Sequence, residues 1–565
     1  MHYCRKDAKM FKYKFTYGLE KPFADTSVED YPTLERISAL RGERVSVQLL
    51  LMLEYTPDSM WSRTFDIALS GEAAKYATVR RVRSVPATNV KRGNTDPDLL
   101  FAYPRLVPDV IMPLEYGGKV VLAPNALASL WIDFDIPADA KAGDAALTVT
   151  LHSENARDPS APNWDGEAKI TLDVIGATLP EQELLFTQWF HSDCLANYYR
   201  CEKWSDEHFR IIENFAKCAK KNGINMLFTP LISPPLDNSY DTRDLQLAIV
   251  TKTESGYEFD WKYLERWIEV LSKVGIDRFE VGHLFTQGGA EFATKVMGTV
   301  NGEYVRLFAK DTPCDDPEYT KFLRALLTSF IAFMKERGLD TRCNFHISDE
   351  PPLKHLETYG RAKASVADIL EGYTVMDALS HYDFYETGIV KKPVVLLDHL
   401  EEFTCHDIEG LWTYNCCAPA LGYSNRFLAM SLPRNRSISF LLYKYNIEGF
   451  LHWGYNFYNN SGSSDFINPF VDTSSGDIFP SGDPFSVYPA DNGDALESMR
   501  LVTFNEAIQD LRAMKLCESL YSKDEVITAL EEKLGAEIRA NTYINTSAPL
   551  VEIREMINSM IKAKV

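Results

Sequence analysis

Two carboxylates stand side by side in His346-Ile347-Ser348-Asp349-Glu350-Pro351-Pro352, directly after an apolar run that begins at Cys343. Adjacent carboxylates repel, and partial burial raises the pKa of at least one toward a value useful for a general acid. The paired prolines stiffen the exit and bias Glu350 away from helical geometry. An acidic helix N-terminus, favoured by the macrodipole, uses the same residues, and both readings stand on the bare sequence. In the ordinary retaining mechanism at an anomeric carbon, acid and nucleophile face each other at roughly 5 to 5.5 Å. Neighbours at one strand end approach from related directions instead. If a substrate carries a 2-acetamido group, its carbonyl oxygen can itself attack the anomeric carbon. One carboxylate then orients and stabilises that amide, while the other protonates the leaving oxygen and later activates water.

Further candidates follow other apolar runs. Trp453 is either a platform for a sugar ring or core packing, with Tyr455 and Asn456 beside it to bond hydroxyls. Trp412 and Tyr414 alternate, so they share one strand face, one to line a pocket and the other to fill the interior. Tyr382 with Asp383 either holds an acetamido group or makes a surface turn. His346 lies within a strand, where a hydrogen-bonded core histidine competes with a catalytic one, and His283 and His191 are equally open. Gln287-Gly288-Gly289-Ala290-Glu291 reads as a flexible acidic loop that caps a pocket or is merely solvated. Glu291 and Asp398 are the alternatives for a conventional carboxylate nucleophile.

Holding such groups at strand ends is the work of a (β/α)8 barrel, whose sites lie at its C-terminal mouth. Past residue 180, apolar runs alternate with amphipathic helical patterns, the sign of parallel architecture. The predicted strands are 184–190, 225–231, 278–285, 343–348, 374–378, 394–397, 410–414 and 449–453. Helices are predicted at 206–221, 261–274, 317–337, 353–370, 427–445 and 495–518. Between 378 and 394, and between 397 and 410, there is little room for a helix, so that side of the barrel should be irregular. The loop 457–492 is long enough to be functional. Upstream, short β-rich runs at 45–53, 64–69, 78–85, 130–136, 147–152 and 168–174, broken by turn residues, have the cadence of a β-sandwich. The fold class is multidomain: an N-terminal β-sandwich over 1–180, a (β/α)8 TIM-type barrel over 181–521 and a C-terminal helical tail over 522–565 that docks on the barrel.

Acidic residues outnumber basic ones, giving a net charge of −21, which argues against nucleic acid or anionic lipid as partner. The aromatic share of 12% suits carbohydrate binding and large cores alike. No apolar run is long enough for membrane insertion, and no signal-peptide pattern follows the first residues, so the chain as given reads as cytoplasmic. The 10 cysteines are scattered, Cys416-Cys417 cannot form an ordinary local bridge, and no metal-ligand spacing occurs.

Residues 342–350 with Pro351, the run Leu411-Trp412-Thr413-Tyr414, the segment Gly449-Phe450-Leu451-His452-Trp453-Gly454-Tyr455-Asn456, and Tyr488-Pro489 through Ser498-Met499-Arg500-Leu501 resemble family 123 of the glycoside hydrolases. The likeness spans residues 130–520 or so. It implies a β-N-acetylgalactosaminidase with a β-sandwich before its catalytic barrel, Asp349 orienting the acetamido group and Glu350 as acid/base. A retaining exo-glycosidase of this kind needs no cofactor and takes a glycan or glycoconjugate as substrate. The other expectations are a glycosidase with a conventional nucleophile and another sugar specificity, or a non-catalytic carbohydrate-binding protein.

Overall fold

The computed structural model describes residues 11–54, 61–90, 96–115, 117–154, 163–406 and 408–565. Its N-terminal part is two five-stranded sheets. The first holds Phe11–Tyr17, Arg44–Leu53, Ala128–Asp135, Ala77–Ala87 and Arg105–Met112 in spatial order; the second holds Arg36–Arg41, Trp164–Thr178, Gly143–Ser153, Arg63–Ser70 and Lys119–Leu122. Gly143–Ser153 alternates buried and open positions, as a strand with one solvated face must. Its Ala145, Leu147, Val149 and Leu151 share one apolar core with Val45, Val47, Leu49 and Leu51 of the other sheet.

Eight parallel strands then close a barrel: Leu185–Gln188, Met226–Thr229, Arg278–Val281, Cys343–Phe345, Thr374–Leu379, Lys392–Leu396, Trp412–Tyr414 and Gly449–His452. Each overlaps a predicted strand. Gly449 is required by packing, because a Cβ there would lie 2.1 Å from the indole of Trp412 on the neighbouring strand. Without that Cβ the indole fills the barrel beside Met226, Met376 and Leu451.

Helices Asp206–Lys221, Lys262–Lys273 and Pro317–Glu336 cover one side. Asp316 caps the third, its Oδ1 accepting from the N–H groups of Glu318 and Tyr319 at 2.9 Å, with Pro317 at the first turn. The opposite side is irregular as predicted: among the described residues the short helices Asp383–Glu386 and Leu400–Thr404 and the 3-10 turn Leu397–His399 lie between strands five, six and seven. Three predicted helices differ, and the stretch 353–370 is a 3-10 turn, Leu353–His355, followed by a helix Leu356–Ala364 that stops six residues early. The stretch 427–445 is two short helices, Leu432–Arg436 and Ile438–Lys444, because Ser431 caps Arg434 N and Pro433 fixes the start. The stretch 495–518 opens as a strand, Ala495–Glu497, before Ser498 caps Met499–Leu520. A four-stranded sheet, Tyr257–Asp260, Ile249–Lys252, Met297–Val300 and Glu303–Arg306, ties together the excursions after strands two and three.

The tail helices Lys523–Leu534 and Ser547–Lys562 do more than dock on the barrel. Arg554 pairs with Glu43 of the sandwich and Asp510 of Met499–Leu520, both at 2.8 Å, and Lys562 pairs with Asp173 at 2.7 Å. The last helix is therefore a clamp between the two parts. Further buried pairs cross the same seam, Arg500 with Asp109 at 2.9 Å and Arg44 with Glu497 at 3.1 Å.

Candidate active site

Beyond Phe345 the chain stays beside the continuation of strand three. Leu284 N and Phe285 N donate to the carbonyls of His346 and Ile347 at 3.2 and 3.0 Å, and Gly288 N to that of Asp349 at 2.8 Å. Ser348 Oγ accepts from Ala290 N at 3.0 Å and donates to Thr286 O at 2.8 Å. Gly289, at φ +130°, allows this closure, since a Cβ would meet the His355 ring at 2.5 Å. The segment 287–291 is thus laced down rather than a flexible cap, and Glu291 faces outward with a side chain 52% exposed.

Asp349 is buried, and its Oδ2 accepts from Gln287 Nε2 at 2.8 Å. Gln287 Oε1 accepts from Asp237 N at 3.2 Å, which fixes the amide with its NH2 toward the carboxylate. Burial pushes the Asp349 pKa well above the ordinary carboxylate range, and the charge of Glu350 pushes it further. Glu350 is exposed at the mouth with φ +44°, a left-handed conformation costing about 1–3 kcal/mol for a non-glycine residue. Its N–H donates to Ala378 O at 3.1 Å, and Pro351 after it disfavours the right-handed alternative. Tyr414 OH donates to Glu350 Oε1 at 2.6 Å. Burial, then the Glu350 charge, pushes the Tyr414 pKa well up, so this hydroxyl keeps its proton.

Beneath the pair lies a buried charged layer. His346 Nε2 meets Glu280 Oε1 at 2.9 Å and Nδ1 meets Asp377 Oδ1 at 3.1 Å. Burial alone would lower the His346 pKa, but the hydrogen bonds and charges of Asp377 and Glu280 overturn it and push it up to about 10. Glu280 Oε1 also accepts from Trp189 Nε1 at 2.6 Å, fixing an indole that lines the pocket. His283 stacks on His346 at 4.4 Å, and burial holds its pKa far below 6.5. Donor atoms of His283, His346 and Asp377 fall within 4.8 Å of one another, yet both His346 nitrogens are already engaged by carboxylates.

These groups surround a cavity of about 180 Å3 lined by Trp189, Asp237, Gln287, Asp349, Glu350, Tyr414, Cys416, Cys417, Trp453 and Phe479, with Leu236, Ala378 and Leu451. A larger open cleft of about 390 Å3, walled by Arg44, Lys220, Lys221 and Arg512, lies at the sandwich seam, away from the strand ends.

Of the residues singled out in sequence, Asp349, Glu350, Tyr414 and Trp453 come together here. Trp453 is held by its Nε1 donating to Asp483 Oδ2 at 3.1 Å. Trp412 fills the barrel, and His346 lies below the pocket. Tyr455 and Asn456 turn away, because the chain leaves strand eight at Gly454, pressed against the carbonyls of Asp483 and Pro484. Tyr455 OH donates to Phe215 O at 2.8 Å, and the Asn456 amide spans His191, accepting from its N–H at 2.9 Å and donating to its carbonyl at 3.0 Å. Asn456 braces the loop after strand one, and Tyr455 the helix Asp206–Lys221 that follows it. Tyr382 stacks on His406 at 4.4 Å, outside the cavity lining. Trp189 was detectable by the post-strand rule that singled out the others; Asp237 and Phe479 sit in long loops with no spacing to mark them.

A carboxylate pair, a tyrosine and two indoles surround a small cavity at the mouth of a closed parallel barrel, an arrangement that suits hydrolysis of a glycosidic bond. Residues 189–517 match the model described as glycoside hydrolase 123, catalytic domain, and the chain belongs to glycoside hydrolase family 123. No match is found among curated proteins. Among solved structures, the fold is similar to a family 123 glycoside hydrolase from Clostridium perfringens, described for glycolipid glycan hydrolysis, at 16% identity and TM-score 0.74, covering 98% of this chain and 97% of that one. The human zinc 2-glycoprotein complex with prolactin inducible protein (10% identity, TM-score 0.15, 30% of this chain and 99% of that one) bears on neither fold nor function. Nor does the Bacillus cereus pilin subunit BcpA (7%, TM-score 0.16, 32% and 44%). No helix among the described residues is long and apolar enough to cross a membrane.

Proposed function

We propose that the protein is a retaining, exo-acting β-N-acetylgalactosaminidase in which the substrate's acetamido group is the nucleophile. The observation that carries this reading is the division between the neighbouring carboxylates: Asp349 deep and held by Gln287, Glu350 at the mouth and held by Tyr414. Asp349, as the anion, accepts from the acetamido N–H while the carbonyl oxygen attacks C1. Glu350 protonates the departing oxygen, leaving an oxazolinium ion stabilised by Asp349. Glu350 then takes a proton from the water that opens the ring, and two inversions give net retention. Trp189 and Trp453 supply apolar faces for the sugar. Glu291 and Asp398 lie outside the cavity lining, which supports this reading over a conventional nucleophile. Because the Clostridium perfringens relative is described for glycolipid glycans, a glycolipid or similar glycoconjugate is the substrate class we propose.

Chromogenic β-GalNAc, β-GlcNAc and β-galactoside substrates test it, with the anomer of the released sugar read by NMR. The expected result is β-GalNAc turnover with retention; preference for the galactoside overturns the mechanism. A 2-fluoro sugar that labelled Asp237, the third carboxylate of the lining, would assign the nucleophile there instead.

A further inference from the structure

Two sulfur atoms share the pocket wall with the catalytic pair. Strand seven ends at Tyr414, and two residues later Cys416 N donates to Ala418 O at 2.8 Å, turning the chain back on itself. Cys416 and Cys417 are both half-buried, both line the cavity that holds Asp349 and Glu350, and their thiols are hydrogen-bonded to each other. An ordinary pair of adjacent side chains diverges to opposite sides of an extended chain. Here the turn brings both to one side. Nothing in the glycosidase mechanism uses them.

We propose that Cys416 and Cys417 form a two-sulfur site for trivalent arsenicals in the wall of the catalytic pocket, and that its occupancy shuts the pocket to the sugar. With phenylarsine oxide the arsenic–oxygen bond breaks and two arsenic–sulfur bonds form. Both thiol protons leave with the oxygen as one water, and arsenic stays trivalent. Capture of the second sulfur is intramolecular, so its effective concentration is high and the adduct outlasts any single-thiol adduct. Monofunctional alkylation depends on thiolate. Cys416 donates its thiol proton to Cys417, and that bond, then burial, holds the Cys416 pKa well above that of an ordinary thiol, so the site discriminates in favour of a reagent that takes both sulfurs. The phenyl group then occupies a cavity of about 180 Å3 beside Trp453 and Glu350.

The test treats the reduced full-length protein with one equivalent of phenylarsine oxide. The expected result is an intact-mass gain of the reagent less one water, mapped by proteolysis to the peptide holding Cys416 and Cys417. Hydrolysis of an aryl N-acetyl-β-galactosaminide should fall by more than about tenfold, since a pocket of this size takes one occupant. A dithiol should restore the rate and a monothiol should not. Cys416→Ser and Cys417→Ser are each compared with and without reagent, and each ratio should return to about one. Cys405→Ser, which changes the exposed Cys405 outside the cavity lining, should remain sensitive. If the serine variants fail to fold, protection carries the same information: N-acetylgalactosamine should slow the mass gain of the unmodified protein. An adduct mapped elsewhere, an adduct at this peptide with full activity, or a sensitive Cys416→Ser variant overturns the proposal. The mass readout holds whichever sugar the enzyme removes, so failure of the sugar assignment and failure of this site are told apart.

Discussion

Glu350 and Asp349 fail differently when truncated, because one moves a proton and the other holds a developing charge. For Glu350→Ala the expected loss is about 10²–10⁴-fold on substrates with poor leaving groups and far less on activated aryl glycosides. Asp349→Ala should slow both, and a thiazoline mimic of the oxazolinium should bind that variant much more weakly. Azide rescue of Asp349→Ala with an inverted azide product would reassign it as a direct nucleophile. The like charge of Glu350 is one cause of the high Asp349 pKa. Glu350→Gln should therefore move the acid limb of kcat/KM on an activated substrate to lower pH; an unmoved limb would show that Asp349 ionisation does not set it. The same shift bears on stability. Asp349 has its pKa raised by folding, so its contribution is full below the unfolded value of 3.8 and is lost as pH rises through the folded one. Asp349→Asn should melt higher than the parent at pH 7 and alike at pH 3, read by thermal denaturation, while losing activity. The pair stood out in sequence as acidic residues after an apolar run, but an acidic helix N-terminus uses the same residues, and only the closed barrel brings both into one cavity lining. Tyr455 and Asn456 were misplaced because no spacing announces that the chain turns at Gly454.

At the scale of elements, strand four owes its stability to a charge it cannot show to solvent. Removing His346 leaves Glu280 and Asp377 buried without their cation, so His346→Leu should lose about 3–5 kcal/mol in urea unfolding. The His346 pKa is raised by folding from 6.5 to about 10, so its stabilisation is full below 6.5 and fades as pH climbs toward 10. The parent should lose melting temperature across that window and His346→Leu should not. Gly449→Ala drives a methyl into the Trp412 ring and should cost more than an ordinary core overpacking, about 1–3 kcal/mol, because a strand backbone has little room to retreat. All eight barrel strands could be read in advance, since strands buried on both faces are near-continuous apolar runs, interrupted here by polar residues such as Glu280 and Asp377. The strands Phe11–Tyr17, Arg36–Arg41, Arg105–Met112 and Lys119–Leu122 could not. Arg36–Arg41 and Lys119–Leu122 lie at sheet edges, where short length and charge dilute the pattern.

Across the whole molecule, the seam between sandwich and barrel is held by buried ion pairs, and such pairs reveal themselves most when one partner is lost. Arg554→Ala strands Glu43 and Asp510 and should lower stability by about 3–5 kcal/mol while leaving the pocket residues in place, so KM of the folded fraction should be unchanged. That clamp was invisible in sequence, where an amphipathic helix carrying a single Arg gives no hint of which surface that Arg will reach. Its position has a consequence for how the protein is made. Glu555 accepts from Ser38 N at 2.9 Å, a contact between residues 517 positions apart. On a ribosome, strand Arg36–Arg41 emerges early and waits, one edge unpaired, until the helix Ser547–Lys562 has been synthesised. At the usual 5–20 residues per second that wait is about half a minute to two minutes, long enough for chaperones to compete for the edge. The slow step of maturation is then set by translation rather than by loop closure, and a stalled chain ending before residue 547 would carry an aggregation-prone sandwich edge beside a finished barrel.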